Sequence, residues 1–163
     1  MIVLGVDPGS NVTGYSFITQ KRGRFQLLDA GCIRTNAKEP IPKRLYTISH
    51  GLEELILKYS PDTAAIESIF SGKSVQSALL LGQARGVALM TLGKYDLEVS
   101  PYHPMTVKKN VAGHGKAGKK EMIKIVSILL GLKQSLPSDA ADATAIAITH
   151  LMHTRLSNKM RKI

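Results

Sequence analysis

Acidic residues are scarce in this sequence: 12 Asp and Glu stand against 22 Lys and Arg, a formal net charge of +10 on 163 residues. A surplus that large on one small domain points to a polyanionic partner, nucleic acid before any other. Cysteine is nearly absent. Cys32 has no second thiol to pair with, which excludes an internal disulfide and fits a reducing compartment. No apolar run is long and unbroken enough to span a bilayer, so no membrane is expected. The N-terminus reads directly as a strand, without a basic lead or a small-residue cleavage site, and the expected location is the cytoplasm. No internal repeat, low-complexity tract or linker divides the chain. With 44% hydrophobic residues it has the composition of a single globular domain with a real core.

Residues 1–6 read as a β-branched strand. After a turn over Asp7–Asn11, "VTGYSFIT" predicts a second strand and "FQLLDAGCIRT" a third, joined through "QKRGR" with Gly23 in the hairpin turn. Two prolines make "NAKEPIPK" a loop. Over 43–59, Leu45, Ile48, Leu52, Leu55, Ile56 and Tyr59 share one face of a helix that Pro61 stops. "DTAAIESIF" predicts a fourth strand carrying Glu67 at its end. Residues 74–93 predict a helix with Ser74 as N-cap, apolar almost all round. Such a helix is expected to be buried on two sides. One side is the sheet; the other is either a twin helix in a homodimer or a further layer of the same core. "LEVSPYHP" predicts a fifth strand, "VKKNVAGHGKAGKK" a loop, and 121–130 a helix stopped by Gly131. A last helix is expected from Ser138 as N-cap, with a frayed basic tail from Arg155. The predicted fold is α/β: a five-stranded mixed sheet flanked by helices.

Because acids are few, their positions matter. Asp7 closes the first strand and Glu67 the fourth. If these strands are neighbours, both carboxylates emerge at one sheet edge. Asp139 and Asp142 lie three apart at the start of the last helix, on one face, in small apolar surroundings. Each has an ordinary structural use: a turn former, a cap, a partner for the helix dipole. Brought together, they would repel strongly unless they protonate or bind cations. An all-oxygen donor set suits Mg²⁺ or Mn²⁺. Two such ions about 4 Å apart clamp the attacking and leaving oxygens of a phosphoryl displacement. With a +10 surface, that chemistry points to a nuclease.

Lys108, Lys109, Lys116, Lys119 and Lys120 fall between residues 108 and 120 with no acid among them. Gly113, Gly115 and Gly118 would let backbone approach a phosphate closely. Phe70, three residues after Glu67, can stack on a base of an opened strand or pack beneath its loop. His114 and His150 are candidate proton shuttles.

The blocks "GVDPGSNVTGY", "AIESIF", "SALLLGQARGVAL", "VAGHGKAGKKEM" and "SDAADATAIAITH" follow one another over nearly the whole chain, from Met1 to about His150. In this order they resemble the RuvC family of bacterial crossover-junction endodeoxyribonucleases. The resemblance implies an RNase H-like fold and a nuclease domain over 1–154, followed by a basic tail at 155–163. It also implies a homodimer that binds four-way junction DNA and nicks two opposed strands, working with the RuvA–RuvB branch-migration complex. Asp7, Glu67, Asp139 and Asp142 match the family's catalytic metal-binding acids, expected to hold two Mg²⁺ with Mn²⁺ able to substitute. Phe70 matches its stacking aromatic, and Lys108 and Lys119 match basic positions near the scissile phosphate. Lys116 and Lys120 join these as expected DNA contacts. Glu121 departs from the family pattern, where many members carry glutamine. The competing readings are a non-cleaving junction-binding protein, an RNase H acting on hybrids, and an actin-like nucleotide-binding protein, for which the chain is too short.

Overall fold

In a computed structural model the chain is described over residues 1–68 and 74–160, with side chains through 154. One sheet of five strands has the order β3-β2-β1-β4-β5. Strands β1 (Ile2–Asp7), β2 (Val12–Lys21) and β3 (Arg24–Arg34) pair antiparallel, whereas β4 (Thr63–Glu67) runs parallel to β1 and β5 (Val99–Tyr102) parallel to β4. The β2–β3 turn is Arg22–Gly23, with φ of 49° and 81°. Positive φ at both positions gives the type I′ turn that matches the twist of the flanking strands. Parallel neighbours require crossovers. Helix α1 (Ile41–Tyr59) supplies one between β3 and β4, and α2 (Val75–Lys94) another between β4 and β5.

Side chains alternate between the two faces of the sheet. Leu4, Val6, Phe17, Ala64 and Ile66 pack with α1 and α2. Val3, Ile18 and Ala65 pack on the opposite face with α3 (Pro104–Ala112), α4 (Lys119–Leu130) and α5 (Ser138–Met160). The same parity carries Asp7 and Glu67 to the α5 face, two positions beyond Gly5 and Ala65 respectively.

The buried residues of α1 are Arg44, Ile48, Leu52 and Ile56, four apart along one row. Its C-cap, Ser60, is left-handed at φ 45°, and Pro61 follows. Ser74 caps α2 by accepting from the Ser77 N–H at 3.3 Å. Within one chain α2 buries only the side bearing Ala84, Ala88, Thr91 and Leu92, and Val75, Leu79 and Met90 are exposed.

Two local expectations are corrected. Residues 107–112 are not loop but the end of α3. Pro104 sits in its first turn, His103 Nδ1 accepts from the Met105 N–H, and Val107 and Val111, one turn apart, are buried. Glycines and lysines mask that stripe in the sequence; the left-handed Gly113 then ends the helix. Ser138 does not cap α5 but lies within it. The Pro137 carbonyl accepts from the Ala141 N–H, and the buried Ser138 hydroxyl has no partner among the described residues. Gly131 ends α4 in the left-handed region, as expected.

Candidate active site

Strands β1 and β4 are parallel neighbours with Val6 beside Ile66, so Asp7 and Glu67 leave adjacent strands at one edge and on one face. Helix α5 reaches that edge with its N-terminal turn, whose exposed N–H groups favour negative charge. Two glycines allow the approach. A Cβ on Gly14, the residue paired with Asp7, would lie 2.0 Å from the Asp139 carbonyl oxygen, and one on Gly5 would lie 2.1 Å from that of Ala143. Any side chain at these positions would push α5 off the sheet.

The result is an open cavity of about 800 Å³. Its lining includes Asp7, Glu67, Asp139, Asp142, Lys108 and Lys119, with residues Pro8 to Val12 forming one wall. Burial above all, together with the charges of Glu67, Asp142 and Asp139 and against a smaller lowering by Lys119, raises the Asp7 carboxyl to about 8. Burial also raises Asp142, opposed by Lys119 and Lys108. Crowded acids in a partly dry site resist ionisation, and a divalent cation is the natural compensation. Among the described residues no three His, Cys, Asp or Glu side chains close on one point. The acids ring a space rather than clasp an ion. Oxygen-only donors around such a space fit hard cations that keep several waters and share ligands with a phosphate.

The flanking contacts are equally specific. Arg85 on α2 donates from Nε to the Glu67 carbonyl at 3.0 Å, holding the end of β4. Arg44 on α1, outside the cavity lining, donates to the Ser10 carbonyl at 2.7 Å. Sequence reasoning missed both arginines, together with Gly5 and Gly14. The signal for Arg44 was present: it occupies the first place of the row Arg44, Ile48, Leu52, Ile56.

Other candidates fall elsewhere. Lys116 is exposed in the α3–α4 loop, and Lys120 lines a separate groove of about 390 Å³ with Lys124 and Lys133. Glu121 accepts from the Gly118 N–H at 3.4 Å and meets His114 at 3.2 Å, so it ties down the start of α4 and its preceding loop. His150 is buried, with Nδ1 at 3.1 Å from the Tyr102 hydroxyl, and burial lowers its pKa. Neither histidine lines the cavity. Phe70 lies outside the described residues.

The RuvC family model, "Crossover junction endodeoxyribonuclease RuvC", matches residues 3–150. A protein of that name from Alkaliphilus oremlandii is 43% identical over 100% of this chain and 99% of its own length. One from Pectobacterium atrosepticum is 48% identical over 91% of this chain and 87% of its own. Among solved structures, Thermus thermophilus RuvC in complex with a Holliday junction substrate superposes with a TM-score of 0.90 at 34% identity, covering 96% of both chains. The yeast mitochondrial Holliday junction resolvase shares the fold at a TM-score of 0.62 and 16% identity, over 90% of this chain and 77% of its own. The architecture is RNase H-like, and the chain belongs to the RuvC family of crossover junction endodeoxyribonucleases.

Proposed function

We propose that this protein is an endonuclease that resolves four-way DNA junctions by symmetric paired nicks, during recombination and repair. The observation that carries the reading is the single cavity on which Asp7, Glu67, Asp139 and Asp142 converge beside Lys108 and Lys119. These acids are the proposed holders of two Mg²⁺, with Mn²⁺ able to substitute. Bound there, the ions supply Lewis acidity at the attacking water and the departing 3′ oxygen. With Asp7 raised to about 8, binding of a cation there would displace its proton into solvent at neutral pH. Lys108 and Lys119 bring positive charge to a phosphate at the cavity. Lys116 and Lys120 extend DNA contact beyond it, so junction affinity falls with salt by a logarithmic slope of roughly 0.9 per phosphate contact.

The working unit of this proposal is a homodimer. The apolar side chains Val75, Leu79 and Met90 left exposed on α2 support it, and a monomeric mass in light scattering at micromolar concentration would remove it. On the family resemblance, Phe70 stacks at the opened junction centre, RuvA–RuvB is the partner complex and the cytoplasm is the location. The nuclease domain is taken as 1–154, followed by a basic tail. Among the described residues no helix is long and apolar enough to cross a membrane.

Incubating the full chain with an end-labelled four-way junction and Mg²⁺ tests the function. Symmetric nicks are expected, and Asp7→Asn is expected to lose them while still shifting the junction in a gel. Binding without cleavage by the wild type would favour an architectural role, and preferential cleavage of RNA–DNA hybrids would favour an RNase H.

A further inference from the structure

One wall of the cavity is the loop from Pro8 to Asn11, and it is held by a residue outside the lining. Arg44, only 7% exposed, donates from Nη2 to both the Ser10 carbonyl and Asn11 Oδ1, and from Nε to Thr35 Oγ1 at 3.3 Å. Thr35 donates its hydroxyl to the Ser10 carbonyl at 2.6 Å and its N–H to the Asn11 carbonyl at 3.0 Å. Among the described residues Arg44 makes no ion pair. A guanidinium buried beside an acid-rich site thus takes neutral oxygens, and none of the site's carboxylates, as its hydrogen-bond partners.

The chemistry of the two groups fixes an orientation. A guanidinium has only donors, so the Asn11 amide can meet Arg44 only with its oxygen. Its nitrogen, carrying two protons, must then face away. No hydrogen bond among the described residues uses those protons, and Asn11 is exposed and lines the cavity alongside Asp7 and Glu67. The wall thus presents a neutral, preoriented donor in a space otherwise rich in acceptors. Phosphodiester oxygens are acceptors without protons, repelled by the acids and matched by such a donor.

We infer that Asn11 is a substrate-contact residue. Its Nδ2, aimed by Arg44, donates to a phosphate oxygen of the strand lying in the cavity. The inference rests on the junction-nuclease reading. Arg44 is a positioning residue that acts through Asn11.

Asn11→Asp is the decisive variant, because it keeps the shape, replaces the NH₂ by an acceptor and places a carboxylate against Arg44. The thermal midpoint of the full chain is expected to hold or rise. Metal-free junction affinity and Mg²⁺-dependent kcat/KM are expected to fall by well over tenfold. Asn11→Ala is expected to cost about tenfold, the scale of one hydrogen bond to a charged group. Arg44→Met should fall to the Asn11→Ala level, and the double variant no further. A junction bearing one neutral methylphosphonate at each position near the cut locates the contact. At one phosphate the wild type should lose about tenfold and Asn11→Ala nothing more. Wild-type affinity and cleavage in Asn11→Asp, or methylphosphonate losses identical in the two proteins at every position, overturn the inference. A wild type that neither binds nor cuts the junction overturns the nuclease reading instead.

Discussion

The two faces of the sheet differ in how closely their helices approach the strands. Under α1 and α2 the core is made of large side chains, with Phe17, Leu4, Ile48, Leu52 and Leu92 fully buried. Under α5 large side chains such as Ile18, Ile146 and Ile148 are buried as well, but the start of the helix meets the strands through small residues. Ala140, Ala141, Ala143, Ala145 and Ala147 are wholly buried, and they lie over strands that offer Gly5 and Gly14 at the closest points. At Gly5 and Gly14 alone, α5 lies on the strands backbone against backbone. The acids sit on the second because Asp139 and Asp142 can share a cavity with Asp7 only if their helix comes down onto the strand ends. Side-chain packing stabilises both faces, and the small residues where α5 crosses Gly5 and Gly14 set the geometry of the site.

Gly14→Ala attacks that difference most directly. A methyl group 2.0 Å from the Asp139 carbonyl has backbone to displace, not a flexible side chain, so α5 must move. A displacement of about 1 Å at a reacting centre costs on the order of 100-fold in rate. Cleavage per bound junction is therefore expected to fall at least that far, measured in single turnover on protein shown to be folded by circular dichroism. Wild-type turnover in this variant would mean that close packing of α5 does not set the site. Leu52→Ala on the other face should show the reverse pattern. It is expected to cost about 2–5 kcal/mol in denaturant unfolding, the range for a fully buried leucine, with cleavage per folded molecule unchanged. A rate loss there matching that of Gly14→Ala would erase the distinction between the faces.

Much of this division was legible in the residues, and what was not has a physical reason. Strand alternation is local, so the parity of Val3, Gly5 and Asp7 could be read directly, and Glu67 follows from Ala65 in the same way. The pairing of β1 with β4 needed only the assumption that two apolar strands ending in acids are neighbours, which their register bears out. Helix α3 was hidden because its buried stripe is short and interrupted by lysines, so composition outweighed the one-turn spacing of Val107 and Val111. The separation of Lys108 and Lys119 from Lys116 and Lys120 was not readable from composition or spacing, and only the family resemblance singled out the first two. It depends on the path of the loop between α3 and α4 and on which side of α4 faces the sheet, and both are set by packing. Gly14 and Arg44 carry no motif of their own, since what they do is defined by the partner across the fold.

A last expected effect concerns the energetic tension of the α5 face before any cation binds. In the fold the Asp7 carboxyl titrates at about 8, against 3.8 for an unperturbed aspartate. Between these values the unfolded chain has lost the Asp7 proton while the folded chain still holds it. Stability of the metal-free protein therefore falls as pH rises through this window and levels off above it. Asn at position 7 has no proton to lose. Metal-free Asp7→Asn is thus expected to melt with the wild type near pH 4 and above it at pH 8, by about 2–4 °C for each kcal/mol recovered. Adding Mg²⁺ should narrow the gap, because a bound cation stabilises the ionised wild-type site and offers less to the variant. Beside α1, by contrast, Glu53 and Glu39 are partly exposed and paired with Lys94 and Lys43 at 2.7 Å. If Asp7→Asn melts no higher than the wild type at pH 8 without metal, the acids of the α5 face are no more burdened than those surface pairs, and the case for a cation as their natural partner weakens with it.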